Sequence, residues 1–289
     1  MTLRGVRDRR PGTDVDRSRT RPSPTALTLP HCDNGRMVFT VFRGDDRPVT
    51  ATDWLTSRHC FSFGDHYDPS NTHFGALLAV NDEVVAPGAG FDLHTHQESE
   101  IVTWVVAGTL VHRDSAGHSG VLYPGLVQRM SAGTGVEHSE RNDSWPDLPD
   151  AGTEPVRYVQ MWLMPDRHGL APSYAQADVR DRLAAGGLVP IASGVADVDA
   201  AVSVANSGAT LFAARLRPGE TVEVPASRFT HLFVVDGQVE VDGVGVREIG
   251  VLGPGDALRG IDSASYQIRA GDDSDAEVLV WSMAAGLGG

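Results

Sequence analysis

The chain has 289 residues and contains no lysine; all 24 of its basic residues are arginine. That bias carries no mechanism of its own. Cysteine is almost as scarce. Cys32 and Cys60 are the only two, and neither lies in a CxxC. This excludes a disulfide framework and a redox dithiol, and it fits a reducing, cytoplasmic setting. No apolar run approaches the roughly 18 residues needed to span a bilayer, so no membrane partner is expected. Basic charge is short of acidic charge, 24 against 38 residues, for a formal net charge of −14. Such a surface repels phosphate backbones, which disfavours direct nucleic-acid binding by the folded body. GxGxxG, P-loop, GxSxG and zinc-finger spacings are all absent, which removes the nucleotide-binding, hydrolase and finger classes they mark. What is left is an ordinary globular composition, 41% hydrophobic and 21% charged, long enough for two domains or one large one.

Residues 1–25 carry almost no large apolar side chain. The stretch TLRGVRDRRPGTDVDRSRTRPSP carries seven Arg and three Asp and is expected to be a disordered tail. No apolar stretch follows Arg9-Arg10, so the pair is not read as a twin-arginine export signal. A basic arm for nucleic acid is one alternative for this segment. Another is that translation begins at Met37, just before VFTVFRG.

Beyond residue 70 the pattern is one of short strands punctuated by Gly, Pro, Asn and Asp. HFGALLAVNDEVVAPGAG reads as strand, turn, strand, turn. EIVTWVVAGTLVHRDSAGHSGVLYPG reads as a strand, a turn at Gly108, a second strand and a hairpin at Ser115-Ala116-Gly117. This density of turns and β-branched residues predicts an all-β chain of antiparallel sandwiches or barrels with few short helices. SYAQADVRDRLAAGG, Ser173 to Gly187, is expected to be a short helix or linker. The second half repeats the first. WVVAGTLVHRDSAGHSGVLYPGLV matches FVVDGQVEVDGVGVREIGVLGPGDA, with Gly108 on Gly237 and Pro124 on Pro254, offsets of 129 and 130 residues. The expected organisation is the tail, a first barrel over 26–170, a link over 171–187 and a second barrel over 188–286.

Within LHTHQESE, His94 and His96 are an i, i+2 pair, so on a strand they share a face. GTGVEHSERN offers a second such pair, His138 and Glu140, 42 residues beyond His96. Two pairs on neighbouring strands supply three nitrogens and one oxygen, a set that suits Zn, Fe, Mn, Ni or Cu. By parity Glu98 and Glu100 also fall on the histidine face, so either could take the place of Glu140.

The stretch GFDLHTHQESEIVTWVVAGTLVHRDSAGHSGVLYPGLVQRMSAGTGVEHSERN resembles the first motifs of the pirin family, with HxHxxxE followed by glycine eight residues on, and with MSAGTGVEHSE. FSFGDHYDPSNTHFGALLAVNDEVVAPGAGF upstream and QMWLMPDRHGLAPSYAQ downstream extend the likeness over about Phe61 to Gln176. The resemblance implies two tandem cupin barrels of jelly-roll type, a bicupin. It also implies one divalent first-row metal in the N-terminal barrel: iron foremost, with Mn, Co, Ni, Cu or Zn as alternatives. Its ligands would be His94, His96, His138 and Glu140, with Glu100 in reserve and Glu140 also serving as catalytic base. Quercetin 2,3-dioxygenase activity is implied, on a flavonol-like substrate with O2. A regulatory pirin that binds a transcription factor or metabolic enzyme, with the metal as redox switch, is the alternative, as is a cupin acting on another small molecule. Where relatives read HPHRGFE this chain reads HTHQESE, so Thr95, Gln97, Glu98 and Ser99 depart from the pattern and make the rim more negative.

The second barrel serves as a control. An offset of 129 carries the four positions to Glu223, Pro225, Gln267 and Arg269, none of them histidine, and leaves His231 alone. The fold therefore does not need the histidines. His112 is expected at the site's edge or bridged to Asp114; His66 and His73 are undecided. Trp104 and Trp162 are expected in the core, and Gly133 and Gly135 where backbone packs tightly beside the ligand strand.

Overall fold

The computed structural model describes residues 38–243 and 249–287. The expected tail at 1–25, Cys32 and the Met37 start lie outside the described residues.

Strands dominate. The first barrel pairs a seven-stranded sheet with a four-stranded one. The larger runs in the order Ser173–Asp178, Leu126–Ser131, Glu100–Ala107, Val156–Leu163, Leu77–Val85, Leu55–His59, Val49–Ala51. The smaller runs Gly90–His96, Val136–Arg141, Leu110–Asp114, Ser119–Leu122. The second barrel repeats this plan. Its smaller sheet runs Thr221–Val224, Tyr266–Ala270, Val239–Gly243, Val251–Leu252. Its larger one contains Ala257–Ser263, Ser227–Asp236, Ala276–Met283, Ala209–Leu216 and Val189–Ser193 in the corresponding order. The duplicated turns match too. Gly108 and Gly237 have φ of +75° and +71°, and a side chain at either would collide with the backbone of the facing strand, at Pro155 and Asp275 respectively. Only glycine adopts that conformation in that space.

The two large sheets pack face to face. Strand Val156–Leu163 shows why its sequence is nearly continuous apolar rather than alternating. Tyr158 points into the first barrel with Leu55, Val85 and Val105. Val159, Met161 and Leu163 point the other way, into a core shared with Ile191, Leu211, Phe233 and Trp281 of the second barrel. Trp104 is fully buried there, as expected, and its indole N–H donates to Glu277. Strand Val38–Phe42 falls within the expected first-barrel range of 26–170 but pairs with Ala257–Ser263, in the second barrel's sheet.

One expected element differs. Ser173–Asp178, read as helix or linker, forms an edge strand against Leu126–Ser131, and only Arg180–Ala184 is helical. The residues Tyr-Ala-Gln-Ala favour helix locally, but Ala175 and Ala177 alternate onto the inter-barrel core, and that burial decides the outcome.

The inter-barrel core can be tested. Trp281 is 1% exposed and its indole N–H lies 3.3 Å from the Met161 sulfur across the interface. Trp281→Ala should lower stability by about 3–5 kcal/mol in urea denaturation; a loss under about 1 kcal/mol would contradict the shared core.

Candidate metal centre

The strands that carry the two i, i+2 pairs are neighbours. Gly90–His96 pairs antiparallel with Val136–Arg141, and His138 sits opposite His94. The three imidazoles converge, with ring centroids 4.4 Å apart for His94 and His138, 4.9 Å for His94 and His96, and 4.9 Å for His96 and His138. One nitrogen from each lies within 4.8 Å of the other two, a group that could hold a metal ion. The hydrogen bonds leave the right atoms free. His94 donates Nδ1–H to the Asp92 carbonyl at 2.7 Å, so its lone pair is on Nε2. The Nε2 atoms of His96 and His138 are buried without any protein partner. Buried nitrogens left unpaired are costly unless something else binds them.

Electrostatics keep these rings ligand-ready. Burial, then the neighbouring imidazoles, push His96 and His138 down to about 4. Both are neutral near pH 7, the state that binds metals.

His138 and Glu140 are both buried and in unbroken register with Leu110–Asp114, while the facing strand carries the bulge, a step of three residues from Phe91 to His94 opposing their step of two. Glu140 is buried, and both its oxygens accept from Gln160 Nε2, at 3.0 and 2.9 Å. Burial alone would raise its pKa; His138, His112 and the Gln160 hydrogen bond outweigh that and hold it below the ordinary value. Its carboxylate groups within 4.8 Å of His138 and His112. The four expected residues thus lie in two overlapping triads that share His138.

The other acids leave the histidine face. Glu98 has φ of +51°, which resets the alternation. Its carboxylate accepts from the Gly169 N–H at 3.0 Å and pairs with His168 Nδ1 at 2.9 Å. Glu100 begins the next strand and accepts from Ser131 Oγ at 2.8 Å, on the side of Arg129, which reaches Ser203 of the second barrel. Parity counted through a left-handed residue fails, so neither acid shares the histidines' face. Gly133, at φ of +48°, packs where a side chain would strike the Leu170 carbonyl, as expected, whereas Gly135, expected to be equally tight, has open space around it and is glycine for its φ of +136°.

Trp162 is not core. It is half-buried, its ring edge-on to His96 at 4.8 Å, and its indole N–H donates to Gln160 Oε1 at 2.9 Å. Gln160 escaped the sequence reading altogether. The signal was there: a lone amide in YVQMWLMP, in step with Tyr158 and Trp162. His112 satisfies both of its readings, completely buried beside His138 and 3.4 Å from Asp114. Deeper in the same barrel Glu83, also unremarked in the sequence, accepts from Ser57 at 3.0 Å, and burial pushes its carboxyl up to about 7. His66 pairs with the Val49 carbonyl and His73 with Thr72, away from both triads. His231 is packed, 1% exposed, against Phe61.

The second barrel needs one correction. Glu223 and Gln267, the counterparts by offset, lie opposite one another but face outward. The inward positions are Val222, Val224, Ile268 and Ala270, part of an apolar cluster. A one-residue slip in alignment reverses the face. The lumen is apolar where the first barrel has imidazoles.

Residues 42–163 match the family model described as Pirin. A Mycobacterium tuberculosis protein named "Putative quercetin 2,3-dioxygenase Rv0181c" is 53% identical over 85% of this chain and 95% of its own length. An Escherichia coli protein named "Quercetin 2,3-dioxygenase" is 36% identical over 80% of this chain and 92% of its own. The crystal structure of the bacterial pirin YhhW from Escherichia coli in complex with nickel(II) superposes with a TM-score of 0.73 at 31% identity, covering 86% of this chain and 100% of that one.

The neutral histidines predict a pH effect. Unfolded histidines take up protons near 6.5, whereas His96 and His138 do so near 4 when folded. The unfolded state therefore binds more protons between these values, and this contribution to stability is lost as pH falls through that window. Glu83 acts in the opposite sense, so the readout is a difference. In chelator-treated protein, His138→Gln should flatten the fall in denaturation midpoint between about pH 6.5 and 4.5. An unchanged slope would contradict the neutral, buried imidazole.

Proposed function

This chain belongs to the pirin family, and on that footing we propose that it is a metal-dependent dioxygenase that opens flavonols such as quercetin with O2. The metal is held by His94, His96 and His138, with Glu140 as the carboxylate of the set. The observation that carries this reading is the set of three converging imidazoles, two with unpartnered buried Nε2 atoms, beside one buried carboxylate. Relatives named as quercetin 2,3-dioxygenases and a nickel-bound pirin of the same fold support it. Three nitrogens and one oxygen accept several first-row ions; iron is the first candidate and nickel the second.

When bound there, the metal supplies Lewis acidity that lowers the pKa of a flavonol 3-hydroxyl. The remaining steps belong to the chain's own residues. Glu140 takes the hydroxyl proton as general base. The two hydrogen bonds from Gln160 orient its carboxylate, and Trp162 in turn orients Gln160. His94 and His96 are partly exposed while His138 and Glu140 are buried, so substrate approaches from the His94–His96 side. On that side Trp162 and Phe63, edge-to-face at 5.2 Å, offer aromatic walls to a planar substrate. The flavonolate then reacts with O2, and its ring opens with loss of carbon monoxide.

The test is metal loading under anaerobic conditions followed by oxygen uptake with quercetin. Uptake should appear with at least one of Fe, Mn, Co, Ni or Cu, and His94→Ala and His138→Ala should lose the metal. Full occupancy without uptake for every one of these ions would overturn the dioxygenase and leave the regulatory reading. Full metal retention in both variants would overturn the ligand assignment.

A further inference from the structure

We propose that His112 is a positioning residue that fixes the tautomer of His138, with Asp114 as the anchoring carboxylate behind it. This rests on the reading that His138 binds a metal. His138 and His112 are completely buried, and their Nδ1 atoms face each other at 3.5 Å. On the far side of His112, Nε2 lies 3.4 Å from Asp114 Oδ2. A nitrogen that faces a carboxylate carries the proton, so His112 is protonated on Nε2 and its lone pair is on Nδ1. That lone pair accepts from its neighbours, and Gln128 Nε2, at 3.2 Å, is oriented to donate to it. His138 must then present Nδ1–H to His112. Its lone pair falls on Nε2, a buried atom without a protein partner, on the ring that converges with His94 and His96. The hydrogen bond at one ring nitrogen thus decides what the other can do.

The anchor is itself built in. Asp114 Oδ1 accepts the backbone N–H groups of Ala116 and His118, both at 2.9 Å, and Oδ2 meets His118 Nδ1 at 2.9 Å. Tyr174 covers the assembly, its ring 4.9 Å from His112 and stacked on His118 at 5.2 Å. Tyr174 comes from the Ser173–Asp178 edge strand, which gives that strand a role at the centre. Asp114 and His112 arrive together on Leu110–Asp114, and pairing of this strand with Val136–Arg141 sets His112 opposite Glu140 and Asp114 opposite His138.

The experiment uses the full chain labelled with 15N-histidine. Long-range 1H–15N correlation of metal-free protein near neutral pH should show His138 with its proton on Nδ1. His112→Phe, which removes the acceptor, should shift that proton toward Nε2. Competition titration with Zn2+ against a chelator should show affinity about 10–100-fold weaker in His112→Phe. Asp114→Asn keeps an oxygen for the turn's N–H groups and serves where His112→Phe fails to fold; it should weaken Zn2+ in the same direction. A wild-type His138 protonated on Nε2 overturns the proposal, as do variants that leave both tautomer and affinity unchanged. A wild-type chain that binds no Zn2+ would instead defeat the metal-site reading, while the tautomer still decides this one.

Discussion

One cross-strand register holds the candidate centre together: His138 lies opposite His94 on the next antiparallel strand. Directly opposed residues on one face have side chains that meet, so this pairing sets two of the three imidazoles against each other, and i+2 parity brings the third. A one-residue slip of either strand would turn that strand's own histidines to the other face and break the cluster. The register is defended by backbone. Gly90, at φ of +152°, packs where any side chain would collide with Glu140 and Arg141, so the strands close only because glycine is there. Unbroken i+2 parity along Val136–Arg141 then puts Glu140 on the same inward side as His138, beside Gln160.

The two barrels share a strand order and differ in what fills them. The second is lined by Val222, Val224, Val239, Ile268 and Ala270. The first encloses His138, Glu140, Glu83, Asn81 and Gln160, all buried. Buried polar groups cost stability unless they are hydrogen-bonded. Here Glu83 has Ser57, Glu140 has Gln160, and Asn81 has His59. The first barrel also keeps an apolar cluster of Leu55, Val85, Val105, Leu110 and Leu122, and the sheet-to-sheet interface and the second lumen add to that burial.

A loop couples the two. Met164 and Asp166 bond to Asn206, Ala205 and Ser207 of the second barrel, while His168 and Gly169 hold Glu98 in the turn just after His96. The acid that departs from the family's motif is therefore part of the clasp on the ligand strand, and its charge is spent there.

Much was readable from the chain alone. Alternation and turn residues dictated an all-β chain, the repeat at near-constant offset dictated two barrels, and strand parity placed His94 with His96 and His138 with Glu140. Parity is local, and it failed where backbone left the extended region, at Glu98, and where a one-residue offset mattered, at Val222 and Ile268. Propensity failed at Ser173–Asp178, because burial against the second barrel outweighed a helix-favouring composition. That Gln160 meets Glu140, that Trp162 meets His96, and that the His112–Asp114 pair expected on one strand reaches His138 became visible only in three dimensions. Each arises from strands distant in sequence that hydrogen-bonding brings side by side, and local pattern records which face a residue takes but not which strand it will meet.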